Sequence, residues 1–141
     1  MNAGMYHRDR APVGHYVENG EELRRVIPNA GPGNFGMLPN GVFCIGEGRA
    51  DVFETLDFVK QAPDCRFATQ SGPMLVIDGA LHPAFMPDGR SRHLRNGVGI
   101  TRDGSALFAI SDAPVSLGRF ARLLRLLRAR AAAAQSQDCK R

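Results

Sequence analysis

A chain of 141 residues and 15.3 kDa, 43% apolar and 23% charged, has the makeup of one globular domain that can bury roughly two-thirds of its unfolded surface without a staple. Sixteen glycines and nine prolines exclude a helical bundle and favour short strands joined by turns. The net charge of +4 is local: Leu117 to Arg141 hold seven basic residues and one acid, leaving eleven basic and thirteen acidic side chains elsewhere, so a nucleic-acid groove is a poor reading.

In chain order, Val13 to Glu18 alternates, with Val13, His15 and Val17 on one face, and Asn19-Gly20 turns it toward a partner at Leu23 to Ile27. A second hairpin is predicted from Asn34–Leu38 and Val42–Ile45 around Pro39-Asn40-Gly41. A polar turn and short edge strand follow between Glu47 and Glu54. Thr55 then caps a short helix through Leu56, Val59 and Lys60 that must stop before Pro63. Met74–Ile77 reads as a buried strand ending at the Asp78-Gly79 turn, and residues 84–94 read as a loop. Gly97–Thr101 and Ala106–Ile110 form the clearest hairpin, around Arg102-Asp103-Gly104.

Ser116 opens an amphipathic helix whose core face is Leu117, Phe120, Ala121, Leu124 and Leu127, with Arg119, Arg122 and Arg125 around it. Four consecutive alanines and a polar end follow, so residues 131–141 are expected to be a non-structural tail and residues 1–130 the domain. The expected class is α+β: a mixed, mainly antiparallel sheet of short strands, a short middle helix and one C-terminal amphipathic helix.

No apolar run reaches the 18 residues of a membrane span, and Met1 is not followed by an export-signal pattern. Cys44, Cys65 and Cys139 lack metal or redox spacing; Cys44, in an apolar run, is expected to be a small buried hydrophobe. His7, His15, His82 and His93 lack ligand spacing, so neither metal nor cofactor is expected. Ser71-Gly72 is not a nucleophile elbow, because position 69 is Thr.

What remains is a set of polar residues beside glycines: Asn2 with Gly4, Thr69 to Gly72, and Arg95 with Asn96, Gly97 and Gly99. Glycines let backbone N–H groups approach a ligand, and Arg95 offers a planar fork to a phosphate or carboxylate, with Ser71 and Asn96 as further donors. Spacing alone favours the plainer reading, in which each glycine serves a turn and Arg95 is solvated.

The wording of the sequence adds to this. Asn2-Ala3-Gly4-Met5-Tyr6, Pro12-Val13-Gly14, Tyr16-Val17-Glu18-Asn19-Gly20, Gly33-Asn34-Phe35, Thr69-Gln70-Ser71-Gly72-Pro73-Met74-Leu75 and Arg95-Asn96-Gly97-Val98-Gly99 resemble the phosphodiester glycosidases, from Asn2 to about Arg125. The resemblance implies hydrolysis of a sugar-1-phosphodiester at the anomeric carbon, with Arg95 and Ser71 as catalytic residues. Asn2, Gly4, Asn34, Thr69, Gly72, Asn96 and Gly97 would contact the substrate, a small or polymeric sugar phosphate. It suggests the periplasm or cell exterior for the intact family. It also implies a Leu-Asp-Gly strand after the arginine-rich helix, which residues 126–141 do not contain, so the chain is expected to be truncated at both ends and its catalysis impaired. A frameshift after about Arg125 would account for the Arg- and Ala-rich end. Asp51, Glu54 and Asp112 are possible replacement carboxylates, though exposed strand or cap roles suit them better. The alternatives are a non-catalytic sugar-phosphate or polysaccharide binding module, or a gene fragment without function.

Overall fold

The computed structural model describes residues 5–85 and 89–127, and the backbone of the strand at residues 130–136. Asn2 and Gly4 therefore lie outside the described residues. A five-stranded antiparallel sheet runs in the order β2 (Glu21–Arg24), β1 (Tyr16–Glu18), β5 (Phe67–Ser71), β3 (Gly41–Gly46), β4 (Arg49–Glu54). Asn19 and Gly20 take φ values of 52° and 84° at the first hairpin, and Asp78 and Gly79 take 49° and 81° between β6 (Val76–Ile77) and β7 (Ala80–Leu81). Both pairs occupy the left-handed region that matches a tight turn to strand twist.

The first hairpin thus forms where expected, but its return strand is Glu21–Arg24 rather than Leu23–Ile27. The second expected hairpin does not form. Residues 34–38 are turns, and β3 pairs instead with β4 around Glu47-Gly48 and with β5. Asn40 explains the difference: its side-chain amide donates to the Phe35 carbonyl at 2.8 Å and its own carbonyl accepts from Thr55 N at 3.0 Å, so it closes a turn and anchors a helix.

That helix, α1, spans Thr55–Gln61, and Glu54, not Thr55, caps it by accepting from Leu56 N and Asp57 N. Thr55 is buried, with its hydroxyl on the Asn40 carbonyl. The second helix, α2 (Leu117–Leu126), is capped as expected by Ser116, whose Oγ accepts from Arg119 N at 3.2 Å.

A second sheet, β8 (Arg95–Ile100) between β9 (Ala106–Ile110) and β10 (Arg130–Ser136), stacks on the first. Phe43, Val52, Met74 and Ile100, with Val98, pack between the sheets, and Phe43 meets Phe108 edge to face at 5.7 Å. On the far side, Leu107 and Ala109 of β9 pack under Phe120, Ala121 and Leu124 of α2, together with Leu75 and Val76. The outer face of the first sheet buries Val17, Val42, Phe58 and Ala68 around Cys44 and Cys65. Part of the stretch read as tail is thus strand, because an open edge of β8 pairs through the main chain and needs no apolar period. Residues 137–141 lie outside the described residues.

The expectation for Cys44 needs correction. It is bonded to Cys65, with Cα atoms 5.5 Å apart. The pairing is set by the β3–β5 register, which places Cys44 opposite Ala68 and holds the Cys65 loop through Arg66 N to the Ile45 carbonyl.

Candidate functional site

Alternation along β8 sorts its side chains. Val98 and Ile100 enter the layer between the sheets, which places Asn96 on that face and Arg95, Gly97 and Gly99 on the α2 face. Arg95 is not solvated but 1% exposed. Its Nε donates to the Val115 carbonyl and one terminal nitrogen to the Ser91 carbonyl, each at 3.3 Å, and Ser111 Oγ accepts from its backbone N–H. Neither ion pair among the described residues involves it. Burial pushes the guanidinium pKa down from its ordinary value, as the loss of water disfavours the charged form.

Arg95 lines a cavity of about 230 Å³ together with Asn34, Phe85, Ser91, and Ser116 to Gly118 at the start of α2. The cavity therefore has a positive helix end beside a buried cation. The Arg119 N–H is taken by Ser116 Oγ and the Phe120 N–H by the Ser116 carbonyl, while Leu117 and Gly118 contribute N–H groups of the kind a helix leaves without internal partners. The buried side-chain nitrogen and oxygen atoms without a hydrogen bond, among the described residues, are Arg95 Nη1 and Ser71 Oγ. Buried polar atoms are usually satisfied, so such a pair calls for an explanation.

The other expected site residues divide. Gly72 abuts the Asn34–Phe35 backbone so closely that an added Cβ would stand 2.8 Å from the Phe35 carbonyl oxygen and 3.0 Å from that of Asn34. This contact carries the Thr69–Gly72 segment to the Asn34 wall. Thr69 and Ser71 themselves are paired with Phe43 and Gly41, on the sheet face turned toward β8, and Ser71 is not among the cavity-lining residues. Gly97 is buried behind Arg95 on the same strand face, and Asn96 is half-buried on the opposite one. Arg95 and Asn34 thus share one hollow, with Gly72 against its wall, while Ser71, Thr69 and Asn96 face the neighbouring layer.

The candidate carboxylates lie elsewhere. Asp51 and Glu54 line a separate cleft with Asp57 and Asp78, and Asp112 is not among the residues lining the Arg95 cavity. Gln70 is committed to structure, accepting from His15 N and Ile27 N and donating to the Ile27 carbonyl. Sequence reasoning missed Ser91, Ser116, Leu117 and Gly118. The signal was a serine cap with glycine two residues on, opening a helix.

A family model described as phosphodiester glycosidase matches residues 1–134. The chain belongs to the phosphodiester glycosidase family. It is 38% identical over 121 residues to the uncharacterized protein YigE of Escherichia coli (strain K12), a match covering 86% of this chain and 47% of that protein. Among solved structures, the family member's fold resembles the zebrafish N-acetylglucosamine-1-phosphodiester alpha-N-acetylglucosaminidase catalytic domain, auto-inhibited by its pro-peptide. The TM-score is 0.64 at 16% identity, over 97% of this chain and 49% of that one. The chain thus spans about half the length of these relatives.

Proposed function

We propose that this domain binds the phosphate of a sugar phosphate or sugar-1-phosphodiester in the Arg95 cavity. The observation that carries the reading is a buried guanidinium with one terminal nitrogen uncommitted, on a hollow shared with the first turn of α2. Two of its donors are spent on the Val115 and Ser91 carbonyls, which fix the plane of the fork and aim the rest. An arriving anion would neutralise the charge and take N–H donors from the helix end. Asn34 completes the wall.

Cleavage at the anomeric carbon places two demands on such a site. The departing phosphate monoester has a second pKa of about 6 and leaves without full protonation, so it must mainly be held by cations and N–H groups. The sugar carbon, which gains positive charge, needs a carboxylate beside it. The residues around Arg95 suit the first demand, and among the described residues lining the cavity none is acidic. The reading is therefore binding with little or no turnover. Calorimetric titration with glucose 1-phosphate is expected to show saturable binding, and incubation with a sugar-1-phosphodiester to release no sugar. Absence of binding would overturn the site, and steady hydrolysis would overturn the binding-only reading.

A further inference from the structure

His82 is 2% exposed and has both ring nitrogens committed. Nε2 lies 3.2 Å from the Leu38 carbonyl oxygen, and Nδ1 accepts from Ala84 N–H at 3.1 Å. These two bonds require one tautomer, neutral with the proton on Nε2. The ring also stacks on Phe85, with centroids 4.8 Å apart. The partners belong to two walls of the Arg95 cavity: Asn34 and Met37 line it from the segment ending at Leu38, and Ala84 and Phe85 line it from the segment beginning at His82.

We propose that His82 is a positioning residue that latches the 34–38 and 82–85 walls together and so sets the width of the anion cavity. This rests on the phosphate-binding reading above. Among the described residues, the ring's hydrogen-bond and stacking partners, Leu38, Ala84 and Phe85, carry no charge, and the charged side chain lining the shared cavity is Arg95 on β8. Protonation puts a hydrogen on Nδ1 against the Ala84 N–H, so two donors face each other and the Ala84 bond is lost. Burial holds the ring's pKa below its ordinary value, with the Leu38 carbonyl opposing, so the latch stays closed at neutral pH. Acidification therefore loosens the cavity, although added positive charge would by itself tighten anion binding.

Two measurements on the full chain between roughly pH 8 and 5 test this, with sulfate as a probe whose charge is constant across that range. Amide exchange of Ala84 reports the latch without ligand. Its protection is expected to fall on acidification in the native chain but not in His82→Gln, whose amide can keep one donor and one acceptor without titrating. Sulfate affinity is expected to weaken about fivefold in the native chain over the same range and to stay flat in His82→Gln. Acid-insensitive Ala84 protection would overturn the latch while sulfate binding still supports the anion site. Protection lost with affinity unchanged, or affinity rising, would overturn the positioning role. Failure of sulfate to bind at pH 8 would overturn the anion site, and the positioning role with it.

Discussion

Arg95 shows how a side chain that is costly to bury can be held on the wall of a cavity. A buried cation with no ion pair among the described residues costs several kcal/mol in desolvation, a cost that an apolar residue of similar length does not carry. Arg95→Met is therefore expected to melt no lower than the native chain while losing at least tenfold in affinity for glucose 1-phosphate; a titration and a thermal scan on the same sample check both. Gly72 is constrained differently, because backbone oxygens of Asn34 and Phe35 occupy the space of a Cβ. Gly72→Ala should cost roughly 1–3 kcal/mol by overpacking, read from denaturant midpoints. Both positions could be singled out from their residue types. Their environments could not be read there: the sequence offered a solvated Arg95 as the plainer reading, and only packing of separated segments buries it.

At the scale of elements, the hairpin at Asn19-Gly20, the turn at Asp78-Gly79 and the helix after Ser116 were legible because their signals are local: turn residues that accept positive φ, and a cap followed by a 3.6-residue period. Ser116→Ala should destabilise the domain by about 1 kcal/mol in equilibrium unfolding, through loss of the bond to Arg119 N. The 34–38 segment misled because its apolar residues mimic a strand while serving as a cavity wall held by Asn40. The edge strand Arg130–Ser136 was illegible for the opposite reason, since its pairing to β8 uses backbone groups that every sequence has.

For the molecule as a whole, the Cys44–Cys65 bond cross-links residues 21 apart within the core of the five-stranded sheet. Sequence could not pair them, since the register of β3 with β5 alone brings them together. Reduction, or Cys65→Ala, is expected to lower stability by about 2–4 kcal/mol, seen as a lower melting temperature in reductant. Acid should act on the fold too. His15 is buried against Phe58, donates Nδ1–H to the Arg24 carbonyl and has Glu22 nearby; desolvation outweighs both and holds its pKa below 6.5. His82 is shifted the same way. In both, the folded pKa lies below the unfolded one, so the unfolded chain binds more protons in between. Stability is then full above about pH 6.5 and falls as pH drops through the folded values, which melting curves across that interval check.

The strict two-sidedness of β8 carries one more consequence. Slipping that strand by a single position against β9 would turn the guanidinium of Arg95 to the face of Asn96, Val98 and Ile100, away from its cavity, and send Ile100 toward the helix. A misaligned strand would thus strip the charge of its carbonyl partners at Val115 and Ser91, so the residue on the cavity wall also penalises the nearest wrong alignment of the sheet beneath it.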